Sequence, residues 1–135
     1  YTRQRYDRYE IIGGVFNPDY DENMKFAEQI GVNSNRVYKD FETFIIEESS
    51  KPRDKKIEVV SVLTPNFLHY PMAKKLLENG FHVICEKPLT TTLEEAKELQ
   101  ALQKKTLFNF CSYLHLHRLS HGKRNERNDC QRCYW

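Results

Sequence analysis

The chain has 135 residues, of which 39% are hydrophobic and 30% charged, and its formal net charge is +2. This length fits one modest globular domain. The balanced charge argues against a nucleic-acid scaffold, whose signature is a clustered basic surplus. No apolar run approaches the roughly 18 residues that cross a bilayer, so we expect no membrane partner. Residues 1–10 are polar and carry no apolar signal-peptide core, and the expected location is cytoplasmic.

The first predicted element is a strand. Residues 9–16 form a short apolar run that Asn17-Pro18-Asp19 closes, which predicts a buried strand followed by a turn. Gly13 and Gly14 lie inside this run. Two glycines in a strand either weaken it or let another backbone come close.

Two helices and a loop follow. Apolar residues recur at helical spacing from Asp21 to Ile30, and Gly31 follows as a stop signal. A second, short helix is predicted over Phe41–Ile45, with Asp40 as its cap. Residues 49–56 are polar and charged, which predicts a loop.

The next strand is predicted over residues 57–63, where a β-branched, largely apolar run indicates a strand covered on both faces. Thr64-Pro65-Asn66 ends it. A helix is expected to settle near Pro71, because proline is tolerated in a first helical turn, and Gly80 ends that helix.

The last predicted pair is a strand over residues 81–85 and a helix after it. Thr92 and Glu95 form a capping box before an apolar stripe that begins at Leu93 and includes Leu99. Strands and helices therefore alternate along the chain. This alternation is typical of βαβ units, and we predict an α/β fold with a doubly wound parallel sheet.

Two of the predicted strand ends carry polar motifs. Thr64-Pro65-Asn66 follows one strand, with His69 three residues further on, and Glu86-Lys87-Pro88 follows the other. Ligands of parallel sheets bind in the crevice beyond the carboxyl ends of the strands. Together, over roughly residues 9–106, these motifs resemble the Gfo/Idh/MocA family of NAD(P)-dependent oxidoreductases.

The resemblance implies a Rossmann domain that binds NAD or NADP. It implies that the cofactor-binding residues are Asn17, Thr64, Pro65, Asn66, His69, Glu86, Lys87 and Pro88. The implied catalytic residue is Lys87, whose positive charge beside a substrate hydroxyl would favour alkoxide character as hydride leaves the same carbon. Structural alternatives stay open: Pro65 and Pro88 as strand stops, and His69 as a residue that starts a helix. Cys85 is expected to be a small buried hydrophobe.

The family's glycine-rich phosphate turn is absent from the printed sequence. None of its five glycines makes a G-x-G-x-x-G pattern. That turn normally presents backbone N–H groups to the pyrophosphate. We therefore expect an incomplete sheet that lacks its first strand. Asn17 falls at the end of the segment that matches the family's second strand, where an acidic residue often binds the adenosine ribose. An asparagine can bind the ribose without repelling a 2′-phosphate, so the choice between NAD and NADP stays open.

Residues 107–135 differ in composition from the rest of the chain. Three of the four cysteines and three of the five histidines lie there, including Cys130-x-x-Cys133 and His115-x-His117. A Cys-x-x-Cys pair beside histidines is typical of zinc sites. A small metal-binding or interaction module is therefore the alternative function, although few apolar residues surround these side chains and we predict no metal ligands.

A frameshift near residue 106 explains the change in composition better than a metal-binding module does. Plausible codons for the tail, read one base out of phase, encode a family-like strand and amphipathic helix. We therefore predict a partial Rossmann domain over residues 1–106 and a frameshifted, non-family tail over residues 107–135. The tail would then be irregular.

The resemblance also implies what the parent protein does. It would transfer hydride to or from a sugar or polyol-like small molecule, and it would be a homo-oligomer. The start at Tyr1 rather than Met indicates a piece of a longer protein. Without the phosphate turn and the family's substrate domain, we expect little or no activity from this chain by itself.

Overall fold

A computed structural model describes residues 10–106 and, for the backbone alone, residues 110–112. The chain divides between Ile57 and Glu58 into two compact units. The first unit contains helix α1 (Tyr20–Gln29), a 3-10 turn (Ser34–Arg36) and helix α2 (Phe41–Ser49). The second contains β1 (Val59–Val62), α3 (Asn66–Glu78), β2 (His82–Cys85), α4 (Leu93–Thr106) and β3 (Phe110–Ser112). No helix within residues 10–106 has the length and apolarity of a membrane span.

Both helices of the first unit begin at an aspartate. Asp19 Oδ1 accepts the N–H groups of Asp21 and Glu22 at 3.0 Å, and α1 is followed by Gly31 with φ of 74°. Asp40 Oδ1 accepts the Thr43 N–H at 2.7 Å, and this hydrogen bond holds the pKa of Asp40 below its usual value. The predicted helices, with Asp40 as a cap and Gly31 as a stop, are confirmed.

The strand prediction for residues 9–16 is wrong, because the described residues 10–16 form no strand. The only pairing there is an isolated parallel bridge between Gly14 and Val37. The Gly14 N–H donates to the Arg36 carbonyl at 3.0 Å, and the Tyr38 N–H donates to the Gly14 carbonyl at 3.1 Å. A Cβ on Gly13 would lie 2.6 Å from the Arg36 carbonyl oxygen. The glycine therefore allows the close backbone approach, as the second alternative predicted.

The first unit packs α1 against the segments on either side of it. Ala27, Val32 and Val37 form a buried cluster, with partly buried side chains against it from Phe16, Met24 and Ile30. Asn23 is fully buried in α1: its Oδ1 accepts the Phe16 N–H and its Nδ2 donates to the Tyr38 carbonyl, both at 2.8 Å. A buried amide with both ends paired fixes these two segments to the helix.

The second unit is a parallel sheet in the order β1-β2-β3. The predicted α/β class and parallel, incomplete Rossmann-like sheet are confirmed. The strand predicted over residues 57–63 is shorter, and its two faces are not both covered. Val62 is buried, whereas Ser61 is exposed and Leu63 is 71% exposed. This strand lies at the edge of the described sheet, where β2 is its only described partner.

The two helices of the second unit begin differently, because α3 has no side-chain cap and α4 has one. Helix α3 starts at Asn66, so the expectation that it settles near Pro71 is wrong; Pro71 lies inside the helix, where it has no N–H to donate. Helix α4 has the predicted capping box: Thr92 Oγ1 accepts the Glu95 N–H, and Glu95 Oε2 accepts the Thr92 N–H, both at 3.2 Å. Leu99 is buried, but Leu93 is 63% exposed and lies off the apolar stripe.

Only a short part of the predicted tail falls in the described chain. The backbone of β3 pairs in parallel with β2, in the register Val83 with Phe110 and Cys85 with Ser112. Residues 113–135, with the histidines and the Cys130 and Cys133 pair, lie outside the described residues. The boundary at residue 106 and the frameshift stay predictions.

Candidate cofactor-binding site

The two polar motifs leave the sheet side by side. Strands β1 and β2 are parallel, and their last residues, Val62 and Cys85, are register partners. The next N–H, that of Glu86, donates to the Val62 carbonyl at 3.1 Å. The loops 63–66 and 86–88 therefore start at the same edge of the sheet, where ligands of parallel sheets bind.

His69 joins these two loops. Its side chain is fully buried, its Nδ1 lies 2.7 Å from the Pro88 carbonyl oxygen, and its Nε2 lies 2.7 Å from the Thr64 carbonyl oxygen. Because both ring nitrogens contact backbone of the protein, His69 supports the loops from behind rather than presenting a free nitrogen at their surface. The motif spacing placed His69 close to the site, but it carried no signal for this double contact.

The first loop, residues 63–66, combines apolar and polar surface. Thr64 is half-buried, with its Oγ1 3.6 Å from Met72 Sδ, whereas Pro65 and Asn66 are exposed. Leu63 and Phe67, which flank this motif, are each 71% exposed. Exposed apolar side chains beside polar ones at a sheet edge are typical of a surface that contacts a ligand.

The second loop presents a lysine. Glu86 is half-buried and its Oε1 accepts the Lys87 N–H at 3.2 Å, and the Lys87-Pro88 peptide bond is cis. Lys87 and Pro88 are exposed. Among the described residues, no carboxylate forms an ion pair with the Lys87 ammonium. The loop therefore presents an exposed lysine side chain to solvent.

Cys85 precedes this loop but has a structural environment. It is fully buried, and burial raises the pKa of its thiol to about 11. A thiol with so high a pKa is protonated at neutral pH and is a poor nucleophile. The expectation that Cys85 packs as a small hydrophobe agrees with this position.

Asn17 belongs to the first unit, and its side chain has a local partner. Its Oδ1 accepts the Asp19 N–H at 2.9 Å, in the turn that leads into α1. This contact occupies the amide oxygen and leaves the amide nitrogen for other partners. Within residues 10–106, no cluster of three or more histidine, cysteine or acidic side chains could hold a metal ion.

The comparison with protein families identifies the domain. The Gfo/Idh/MocA model, described as an oxidoreductase family with an NAD-binding Rossmann fold, matches residues 2–110. The chain belongs to the Gfo/Idh/MocA oxidoreductase family. The predicted family is confirmed, and the predicted nicotinamide dinucleotide is the cofactor class of its NAD-binding domain.

Several Gfo/Idh/MocA relatives have known structures or names. The uncharacterized oxidoreductase YfiI of Bacillus subtilis is 41% identical over 97 residues, which are 72% of this chain and 24% of that protein. The scyllo-inositol 2-dehydrogenase (NADP(+)) IolW of the same organism is 31% identical over 68% of this chain and 27% of its own. An inositol dehydrogenase homolog from Azotobacter vinelandii, crystallised with NADH and myo-inositol, is 35% identical with a TM-score of 0.73 over 78% of this chain and 27% of its own. The chain spans about a quarter of the length of these relatives.

Proposed function

We propose that this chain forms part of the cofactor-binding domain of an NAD(P)-dependent oxidoreductase. The parent enzyme transfers hydride to or from a sugar or polyol-like substrate. The observation that carries the proposal is the pair of motif loops at adjacent carboxyl ends of β1 and β2, which His69 connects through two 2.7 Å contacts. The cytoplasmic location and the homo-oligomeric parent belong to the same proposal.

The loops fit the nicotinamide end of the cofactor. A nicotinamide ring needs an apolar surface for its face and polar groups for its carboxamide, and the 63–66 loop offers both, through Leu63, Asn66 and the adjacent Phe67. The printed sequence has no G-x-G-x-x-G turn for the pyrophosphate. The chain therefore supplies residues for one end of the dinucleotide, and its affinity for that end is expected to exceed its affinity for the adenosine end.

Lys87 is the proposed catalytic residue. When bound, the nicotinamide group supplies hydride chemistry. The exposed ammonium of Lys87, with no described carboxylate paired to it, would stabilise the oxyanion that develops on the substrate hydroxyl. Glu86, which receives the Lys87 N–H, holds the loop backbone at the point where the lysine side chain leaves it.

The sugar or polyol substrate class is inferred from two relatives. One is a scyllo-inositol 2-dehydrogenase by name, and the other was crystallised with myo-inositol. Adjacent hydroxyl groups are shared by these molecules and by sugars. A lysine that lowers the energy of an alkoxide suits such a substrate, because oxidation of a secondary alcohol passes through this charge.

Saturation-transfer NMR with NADH tests the proposal. We expect the nicotinamide protons to receive more saturation from the chain than the adenine protons. Lys87→Met should weaken the signal about 3- to 10-fold, because it removes a hydrogen-bond donor at the nicotinamide end that is worth roughly 1 kcal/mol. Lys97→Met, at an exposed lysine of α4, is the matched control and should leave the signal unchanged. Stronger saturation of adenine, or none of either ring, would contradict the proposal.

A further inference from the structure

The two contacts of His69 determine how many N–H groups its ring needs. Both ring nitrogens lie 2.7 Å from a backbone carbonyl oxygen, one of Thr64 and one of Pro88. A carbonyl oxygen only accepts hydrogen bonds. A neutral imidazole carries one N–H, so it can donate to one of the two carbonyls and must turn a lone pair toward the other. Only the doubly protonated ring donates to both.

We propose that His69 carries a proton on both ring nitrogens and thereby acts as a positioning residue. It fixes one carbonyl oxygen of each motif loop at a single spacing. The protonation of His69 is independent of the proposed function, whereas its effect on cofactor binding rests on the proposed function. His69 contacts no reacting atom, so it acts through the Thr64 and Pro88 backbone.

The surroundings of His69 favour carbonyl dipoles as its partners. No described carboxylate forms an ion pair with the ring. The acidic groups on the neighbouring loop and helix have other contacts: Glu86 accepts the Lys87 N–H, and Glu98 pairs with Lys74. Burial of a charge is costly unless hydrogen bonds compensate it. Two charge-assisted N–H···O bonds at 2.7 Å are of the short, strong kind that offsets this cost.

The two loops gain a defined geometry from this arrangement. The Thr64 carbonyl precedes Pro65, and the Pro88 carbonyl closes the Glu86-Lys87-Pro88 motif. A rigid ring between the two oxygens sets the width of the surface on which Asn66 and Lys87 are displayed. If one hydrogen bond is lost, that loop can move relative to the other, and the side chains lose their common orientation.

Nitrogen-15 NMR of the histidine rings in the whole chain tests the proton count directly, without cofactor, at neutral pH. We expect both nitrogens of His69 to show the chemical shift of a protonated N–H. His82 is the internal comparison: burial lowers the pKa of His82, so one of its nitrogens should appear bare. His69→Gln assigns the signals by removing one set. A bare nitrogen on His69 would overturn the proposal.

The positioning role is tested by NADH titration of the His69→Gln chain. Glutamine keeps one donor, so affinity should fall about 5- to 10-fold, which corresponds to one lost hydrogen bond. His82→Gln is the matched control and should bind like the wild type. Equal affinity of His69→Gln and wild type would refute the positioning role. Absence of NADH binding in the wild type would instead contradict the proposed function, and the ring-nitrogen result would still decide the protonation of His69.

Discussion

Replacing Glu48 by alanine is expected to lower the free energy of unfolding of the first unit by about 3–5 kcal/mol, since the substitution breaks a buried ion-pair network. The Glu48 side chain is fully buried and accepts hydrogen bonds from Lys51 Nζ at 2.7 Å, the Ile57 N–H at 2.9 Å and the Tyr38 hydroxyl. Arg36 Nη2 lies 3.3 Å away. Without the carboxylate, the Ile57 N–H and the Tyr38 hydroxyl lose their acceptor, and Lys51 and Arg36 lose their ion-pair partner.

Chemical denaturation followed by circular dichroism measures this effect. Glu47→Ala is the matched control, because Glu47 is the neighbouring, exposed carboxylate of α2. Its substitution should change stability by less than about 0.5 kcal/mol. Equal stability losses for the two variants would show that the network contributes nothing beyond an exposed glutamate.

The same carboxylate gives stability a pH dependence. Burial alone would raise the pKa of Glu48, but hydrogen bonds from Lys51, Tyr38 and the Ile57 N–H outweigh burial and hold the pKa below its usual 4.5. The unfolded chain therefore takes up the proton first as pH falls. The stabilisation is complete at neutral pH and is lost as pH drops below about 4.5 through the folded pKa. Glu48→Ala should lack this contribution.

Replacing Phe81 by alanine should destabilise the second unit by about 3–5 kcal/mol, the usual cost of emptying a buried phenylalanine site. Phe81 is fully buried, and its N–H donates to the Leu76 carbonyl at 3.1 Å where α3 passes into β2. Phe67→Ala removes the same side chain from a position that is 71% exposed, and it should cost less than about 0.5 kcal/mol. Thermal unfolding of both variants provides the comparison, and similar losses would contradict the assigned core.

Local signals explain which elements were predictable. Asp40, Gly31 and the Thr92 and Glu95 box act within a few residues of themselves, so their patterns identify helix ends without any knowledge of the fold. The strand prediction for residues 9–16 failed because the pairing of this segment depends on Arg36 and Val37, which are distant in sequence. The helix start predicted near Pro71 failed because a proline six residues into a helix costs only one hydrogen bond, and α3 tolerates this loss.

The candidate site was predictable as a set of motifs but not as an arrangement. Strand ends, a lysine and a histidine could be marked on the sequence. Two long-range facts could not: the register that aligns Val62 with Cys85, and the 2.7 Å contacts of His69 to both loops. Both depend on how β1 and β2 pair, which periodicity does not specify.

We expect NADH to bind on the loops 63–66 and 86–88. Backbone amide NMR of the labelled chain during an NADH titration tests it most directly. We expect the amide signals of Thr64, Asn66, Glu86 and Lys87 to shift together with one saturation curve, while those of the exposed face of α2 around Glu47 do not. Shifts confined to other parts of the chain, or no shift in these loops at saturating NADH, would contradict it.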